Sequence, residues 1–356
     1  MELDKTSIED FRCLTQKVVK QHYVPRHYLS AWGTPTRGND SFLIWCKRSE
    51  WSEARNVEAM SVAQCKYMYA YPNLSAQEQR LLISFIKSKP EPMQGFLQTI
   101  YEYALSMPLY LRLLKGDRSD ELLGRINELN SSCVCDQLVT RVLKLLASDP
   151  EMGGFDVKGA ICDVEVICHN GFEHWMTTLE SGFNPLLDKA RAGDLSFFDD
   201  DPNSRCGLIY YFFVQMLRTK VYDKMVDASN WNKYPNLQKM LRHGTAFEVA
   251  YSNASDWKNF ELRLIGNKSS LQFITGDQPL VNLDANDNSP HFDLYFPISP
   301  TQAMVFIEKG RFQSVYSWLE HITEREAHEL NRRIAKVCID TVCAESKSVL
   351  DIGRYK

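Results

Sequence analysis

Apolar residues recur at helical intervals through the middle of the chain and at a period of two toward its end, which predicts helices followed by strands. Near the N-terminus Ile8, Phe11, Leu14 and Val18 have the spacing of a short amphipathic helix. From Ser75 to Arg242 the helical interval dominates, in Leu81–Ile86, Phe96–Leu105, Leu122–Leu129 and Leu138–Leu146. A helix over Phe172–Ala192 carries Trp175, Leu179, Phe183, Leu186 and Leu187. Another, Leu208–Val226, starts apolar on most sides, as a central helix does. Breaks are expected at Pro90/Pro92, Pro108, Asp149-Pro150 with Gly153-Gly154, and Asp199-Asp200-Asp201-Pro202. After Gly244, Phe247–Tyr251, Phe260–Ile265, Leu271–Thr275, Asp293–Phe296 and Ala303–Ile307 read as strands, with turns at Asn267-Lys268 and Asp287-Asn288. Ser75/Glu78 and Thr323/Glu326 have capping-box spacing, the latter opening a helix over Thr323–Ala335, and Val337–Ala344 reads as a closing strand.

One early strand, Phe42–Cys46, follows turn chemistry at Gly38-Asn39-Asp40. Alone it would leave its backbone polar groups unsatisfied, so its economical partner is the C-terminal sheet. The predicted fold is α+β, a single domain over residues 1–356. Its N-terminal segment (20–72) and C-terminal segment (244–344) share a mostly antiparallel sheet, and a large helical block (75–243) is inserted between them.

A hydrophobic fraction of 44% with 24% charged residues is a globular balance, so the chain can bury a sizeable core. The first ten residues hold four acids and no apolar run, which is not an export signal, and no apolar stretch approaches a membrane span. Ten scattered cysteines in such a chain are expected to be reduced thiols, and the expected compartment is the cytoplasm, without membrane partners. The net charge is −4, yet Phe11–Arg48 carries seven basic residues (Arg12, Lys17, Lys20, Arg26, Arg37, Lys47, Arg48) against one acid, Asp40. An excess of this kind attracts phosphate, and it is equally an ordinary solvated face.

Three places concentrate chemistry. Gln21–Leu29 sets His22 and His27 around Pro25 beside Tyr23, Arg26 and Tyr28: a general base, a phosphate clamp and a stacking surface, or backbone partners in a tight turn. Phe273–Val281 ends an apolar run at Gly276-Asp277, where a carboxylate serves as metal ligand, catalytic acid or turn cap. Gln215 and Arg218, three apart, face one way on the most apolar helix. A buried arginine needs an anion there, and Glu180 is the acidic candidate. Cys133-x-Cys135 and Cys162-x5-Cys168-His169 lack the spacing of a structural zinc site. Phosphate-loop, dinucleotide, serine-hydrolase and zincin signatures do not occur.

These segments together resemble a bacterial family known as domain of unknown function 4238. Gln21–Leu29 follows its Q-H-Y-V-P-x-x-Y-L signature, and Gln215-x-x-Arg218-Thr219 its Q-x-x-R-T motif. Phe273–Pro279 is similar to F-I-T-S-D-x-P with Gly276 in place of Ser, Phe296–Pro300 to F-P-L-S-P, and Leu330-Asn331 to a late L-N pair. The motifs come in family order over nearly the whole chain. Some members resemble stand-alone antiphage defence genes of bacterial mobile elements, which implies an antiphage effector. Gly276 removes a hydroxyl that could position Asp277 or a metal-bound water.

Two functional expectations follow. In the first, a nuclease or related phosphoryl-transfer hydrolase, His22 acts as general base or acid and Asp277 orients it or holds Mg²⁺. Arg218, with Glu180, stabilises the developing phosphorane charge, while Tyr23, Arg26, Gln215 and Asn331 contribute to binding nucleic acid. In the second, the same residues are a polar network that fixes the junction between the chain ends, and a surface recognises a phage or host protein. No cofactor is specified, although Mg²⁺ suits the first expectation, and the oligomeric state is left open.

Overall fold

The computed structural model describes residues 17–36, 41–135, 143, 147, 156–284, 291–312 and 321–352. The N-terminal elements are β1 (Lys20–His22), α1 (Arg26–Leu29), β2 (Thr34–Pro35), β3 (Phe42–Arg48), β4 (Arg55–Glu58) and β5 (Gln64–Lys66). A helical block follows: α2 (Ala76–Lys87), α3 (Glu91–Leu114), α4 (Asp120–Ser132), α5 (Val157–Arg191), α6 (Ser196–Asp200), α7 (Pro202–Leu217), α8 (Lys220–Asp227) and α9 (Pro235–Ser255). The C-terminal part contains β6 (Phe260–Asn267), β7 (Thr275–Gly276), β8 (Val281–Asn282), β9 (Leu294–Ser299), β10 (Gln302–Glu308), β11 (His321–Ile322), α10 (Glu324–Val337), β12 (Thr341–Ala344) and α11 (Lys347–Ile352). This is the expected α+β order. Ile8, Phe11 and Leu14 of the expected first helix, Arg12, Arg37, Gly38–Asp40, Leu138–Leu146 apart from Leu143, Asp149-Pro150, Gly153-Gly154 and Asp287-Asn288 lie outside the described residues, whereas Val18, the last residue of that expected helix, is not helical and precedes β1.

The chain divides into two compact units. The first comprises Met1–Gln21, Lys66–Thr177 and Ser229–Gly244 and is built mainly from helices. Its α2 opens on the predicted capping box: the Ser75 hydroxyl accepts the Glu78 amide, and the Glu78 carboxylate accepts the Ser75 amide. The expected break at Pro108 does not occur. The helix α3 runs through it, flanked by buried Ala104, Leu105, Met107 and Leu109, so packing outweighs the one hydrogen bond that proline removes.

The second unit comprises His22–Cys65, Thr178–Ala228 and Thr245–Lys356, and it holds two five-stranded sheets. One has the order β11-β6-β10-β9-β8, antiparallel except where β11 runs parallel to β6. The other joins the chain ends, with β3 flanked by β2, β4 and β12, and β12 continuing to β7. In its central ladder Arg48 faces Thr341 and Cys46 faces Cys343. The isolated early strand therefore finds its partner at the far end of the sequence. The β10 residues Ala303–Ile307 are all buried because the sheet is covered on both faces. Val305 and Ile307 pack with Ile265, Phe273, Ile334 and Val342, while Phe306 meets Phe198, Phe212 and Phe260.

Three expected elements differ. Phe247–Tyr251 is helical, within α9; Ala246, Phe247 and Ala250 are buried at helical spacing, and the Phe247 ring lies tilted against Tyr251 one turn on, with centroids 6.1 Å apart. Leu208–Val226 is two helices, parted at Arg218 and an extended Thr219 whose hydroxyl turns to Gln278. The strand read at Leu271–Thr275 shortens to Thr275–Gly276. Upstream, the Phe273 amide binds the Pro300 carbonyl, and Ile274 is served by a side chain.

Candidate functional site

Pro25 sets the course of the first motif. Its extended backbone (φ −60°, ψ 139°) brings the chain into the short α1. Before it, the Tyr23 amide donates to Ala63 O at 3.0 Å, and the Tyr23 carbonyl accepts Gln215 Nε2 at 2.9 Å. Gln215 is held in turn by Arg218, whose Nε and Nη2 both donate to Gln215 Oε1, the former at 3.1 Å. Arg218 Nη1 reaches Glu180 Oε1 at 2.7 Å. The Q-x-x-R spacing thus makes one amide bridge a guanidinium and a distant backbone carbonyl. Arg218 is 1% exposed, and the Glu180 side chain 24%, so the charge is compensated away from bulk water.

Tyr28 and Trp32 do similar work further along. The Tyr28 hydroxyl donates to Pro297 O at 2.7 Å, which leaves Thr275 Oγ1, also at 2.7 Å, as donor to it. Trp32 Nε1 donates to Phe273 O at 3.0 Å. Arg191 closes this side, with Nε on Ile298 O (2.9 Å) and Nη2 on Tyr28 O (3.0 Å). Asn331, on α10, acts as a substitute strand: its Nδ2 donates to Gln272 O (2.8 Å) and its Oδ1 accepts the Ile274 amide (3.1 Å). The motifs that lie hundreds of residues apart are in contact through backbone groups.

Asp277 caps the approach to β12. Its Oδ1 accepts the Ile339 amide at 3.1 Å and its Oδ2 the Asp340 amide at 2.7 Å, while its own amide donates to Thr341 O at 3.0 Å. Burial raises the carboxyl above the ordinary aspartate range. The Asp340 amide, the Cys338 thiol and the Ile339 amide oppose that, the Asp340 charge adds to it, and the net shift is upward. A folded value above the unfolded 3.8 means that the proton favours the folded state. The contribution is therefore complete below the unfolded value and lost as pH rises through the folded one. Urea midpoints of the wild type, referred to Asp277→Asn at each pH, should fall with rising pH across that window; a rising difference would contradict the assignment.

The structure does not assemble all the residues singled out by sequence. Tyr23, Gln215, Arg218 and Glu180 form one hydrogen-bonded chain. Asp277 and Asn331 each hold backbone. His22 Nε2 donates to Met60 O at 3.1 Å, whereas both Asp277 oxygens are bound to the Ile339 and Asp340 amides, so no hydrogen bond joins His22 to Asp277 among the described residues. Arg26 sits partly buried at the first position of α1. Sequence reasoning missed Lys220, Asp340, Cys65 and Cys338. The Lys220 ammonium pairs with Asp340 Oδ2, the two side chains being 39% and 38% exposed, and it lies 6.0 Å from the Tyr23 ring centroid. Burial lowers the Lys220 pKa, but Asp340, Cys65 and Asp277 outweigh it and the net shift is upward. The Tyr23 phenol is pushed up by burial and then by Asp277, Asp340, Cys65 and Cys338. Only the position of Lys220, directly after Q-x-x-R-T, signalled this group.

Among the described residues no group of three or more His, Cys, Asp and Glu side chains is placed to hold a metal ion, and no helix is long and apolar enough to cross a membrane. The arrangement defines an α+β scaffold in which the sequence motifs serve as mutual backbone clamps. Residues 238–348 match the family model described as a protein of unknown function (DUF4238), the family that the motifs resemble. No curated protein matches the chain, and no solved structure does.

Proposed function

We propose that the chain is a bacterial antiphage-defence effector that acts through recognition of a phage or host protein, with its motif residues as the scaffold of that surface. The observation that carries the recognition reading is Arg218. It is 1% exposed and bound to Glu180 and Gln215, so the guanidinium that would stabilise a phosphorane faces protein rather than a substrate. Asp277 fits the same reading, because its two oxygens are occupied by backbone amides. The defence role rests on the resemblance of the motifs.

The test pairs thermal stability with protection of a bacterial host challenged by phage, for Asp277→Ala and His22→Ala. Asp277→Ala should lose stability and protection together, since two partly buried amides lose their acceptor at about 1 kcal/mol each. His22→Ala, whose ring meets a carbonyl near the surface, should keep both. An Asp277→Ala protein that stays as stable as wild type yet fails to protect would overturn the reading in favour of an enzyme.

A further inference from the structure

We propose that Cys46 and Cys343 form a reversible redox lock: hydrogen peroxide joins them in a disulfide that ties β3 to β12, and a dithiol reductant releases it. The two residues face each other across the central ladder of the sheet that joins the chain ends. The next pair in that register, Ser49 and Asp340, is hydrogen-bonded, since the Ser49 amide donates to the Asp340 carbonyl at 3.0 Å. Hydrogen-bonded pairs recur at every second residue of an antiparallel ladder, so Lys47–Val342 is another and Cys46–Cys343 is a non-hydrogen-bonded pair. Facing Cα atoms at such a position stand about 4.5 Å apart, inside the range that a disulfide spans without backbone movement.

The side chains bear out the register. The Cys343 thiol is hydrogen-bonded to the Cys46 thiol, and both residues are 0% exposed. Burial first, and then the Cys46 thiol, raise the Cys343 pKa, and Cys338 and Asp277 add to the rise. A thiol held protonated is a poor nucleophile, so the closed ladder keeps the pair reduced. The pair becomes reactive when β12 lifts from its neighbours, a local opening that separates four register pairs with β3 and two with β7.

In the open state one thiol, deprotonated by water, attacks a peroxide oxygen. The O–O bond breaks, and a sulfenic acid and one water are formed. When the strand settles back, the sulfur of the other cysteine attacks the sulfenic sulfur. The S–O bond breaks, the S–S bond forms, and the hydroxyl leaves with the remaining thiol proton as a second water. The bond closes a loop of about 300 residues and so removes freedom from the unfolded chain. It also fastens β12, whose approach Asp277 caps. The lock does not depend on the recognition role proposed above, and its test leaves that role untouched.

Treatment of the folded full chain with hydrogen peroxide, followed by alkylation and non-reducing peptide mapping, reads the lock directly. The wild type should yield a linked pair of peptides containing Cys46 and Cys343, two hydrogens lighter than their sum and lost after dithiothreitol. The linked protein should melt about 5 °C above the reduced one. Cys46→Ala and Cys343→Ala should show no such rise. Urea well below the unfolding midpoint should speed the linkage about tenfold, because it populates the open strand. A folded wild type that gives no Cys46–Cys343 link, or that links Cys343 to Cys338 instead, would overturn the proposal. So would a linked protein that melts no higher than the reduced one, or a linkage rate that urea leaves unchanged.

Discussion

Glu180→Ala is expected to lower stability by about 3–5 kcal/mol, because it removes the carboxylate from a guanidinium that the fold keeps from water. Arg218 is 1% exposed, and its bonds to Gln215 reach a neutral amide oxygen. The Gln215 link runs on to the Tyr23 carbonyl, so a displaced guanidinium would also loosen the first motif. Arg218→Met should be milder, at about 2 kcal/mol, since the Glu180 left behind is 24% exposed and can take up water, and the methionine stem refills most of the space. Chemical denaturation of both variants measures the order. If Glu180→Ala proved the milder of the two, the pair would be a surface interaction and would not hold the clamp.

Gly276→Ser is expected to lower stability by about 3 kcal/mol, at the upper end of ordinary overpacking. A Cβ at this position would stand 2.5 Å from Cys338 Sγ and 2.5 Å from the Thr341 carbonyl. The thiol could turn aside, but the carbonyl is fixed: it accepts the Asp277 amide at 3.0 Å beside the Val342–Gly276 register pair of β12 and β7. Adding Cys338→Ala should therefore recover less than half of the loss, and a melting series on the single and double variants would show it. Full recovery would mean that the strands yield and that Cys338 alone sets the constraint. The same geometry revises the meaning of the missing serine. Where the family pattern places a hydroxyl before Asp277, this chain has the Cys338 thiol against the carboxylate.

Much of the architecture was legible because unsatisfied backbone is a strong argument. Phe42–Cys46 needed a sheet partner, and β12 is that partner. The i, i+3 spacing of Gln215 and Arg218 correctly put both on one face, and the need of a buried cation for an anion pointed to Glu180. Asn331 was visible as a motif residue, but its task was not, because supplying the Ile274 amide matters only once the strand is known to stop at Thr275. Tyr28 likewise looked like a stacking surface, while its hydroxyl in fact ties Thr275 to Pro297. Lys220 and Asp340 were illegible for a different reason. Lys220 is the first residue of α8 and Asp340 lies between α10 and β12, positions that hydrophobic periodicity does not constrain, and only the tertiary structure brings them together. Phe247–Tyr251 misled because Phe-x-x-x-Tyr satisfies both periods, and burial of Ala246 and Ala250 decided for the helix.

The pairing of β3 with β12 also sets a timetable. Phe42–Arg48 is made early, and the residues that complete its ladder, Thr341–Ala344, follow only after the whole helical block and most of the second sheet. At ribosomal speeds that interval of roughly 300 residues lasts from about 15 seconds to a minute. During it an apolar strand of seven residues can pair with β4 on one edge, while the edge reserved for β12 stays open. A nascent chain of this kind is exposed to edge-to-edge pairing with its neighbours on the same message, so its yield in the cell should depend on holding factors during synthesis more than on the stability of the finished fold.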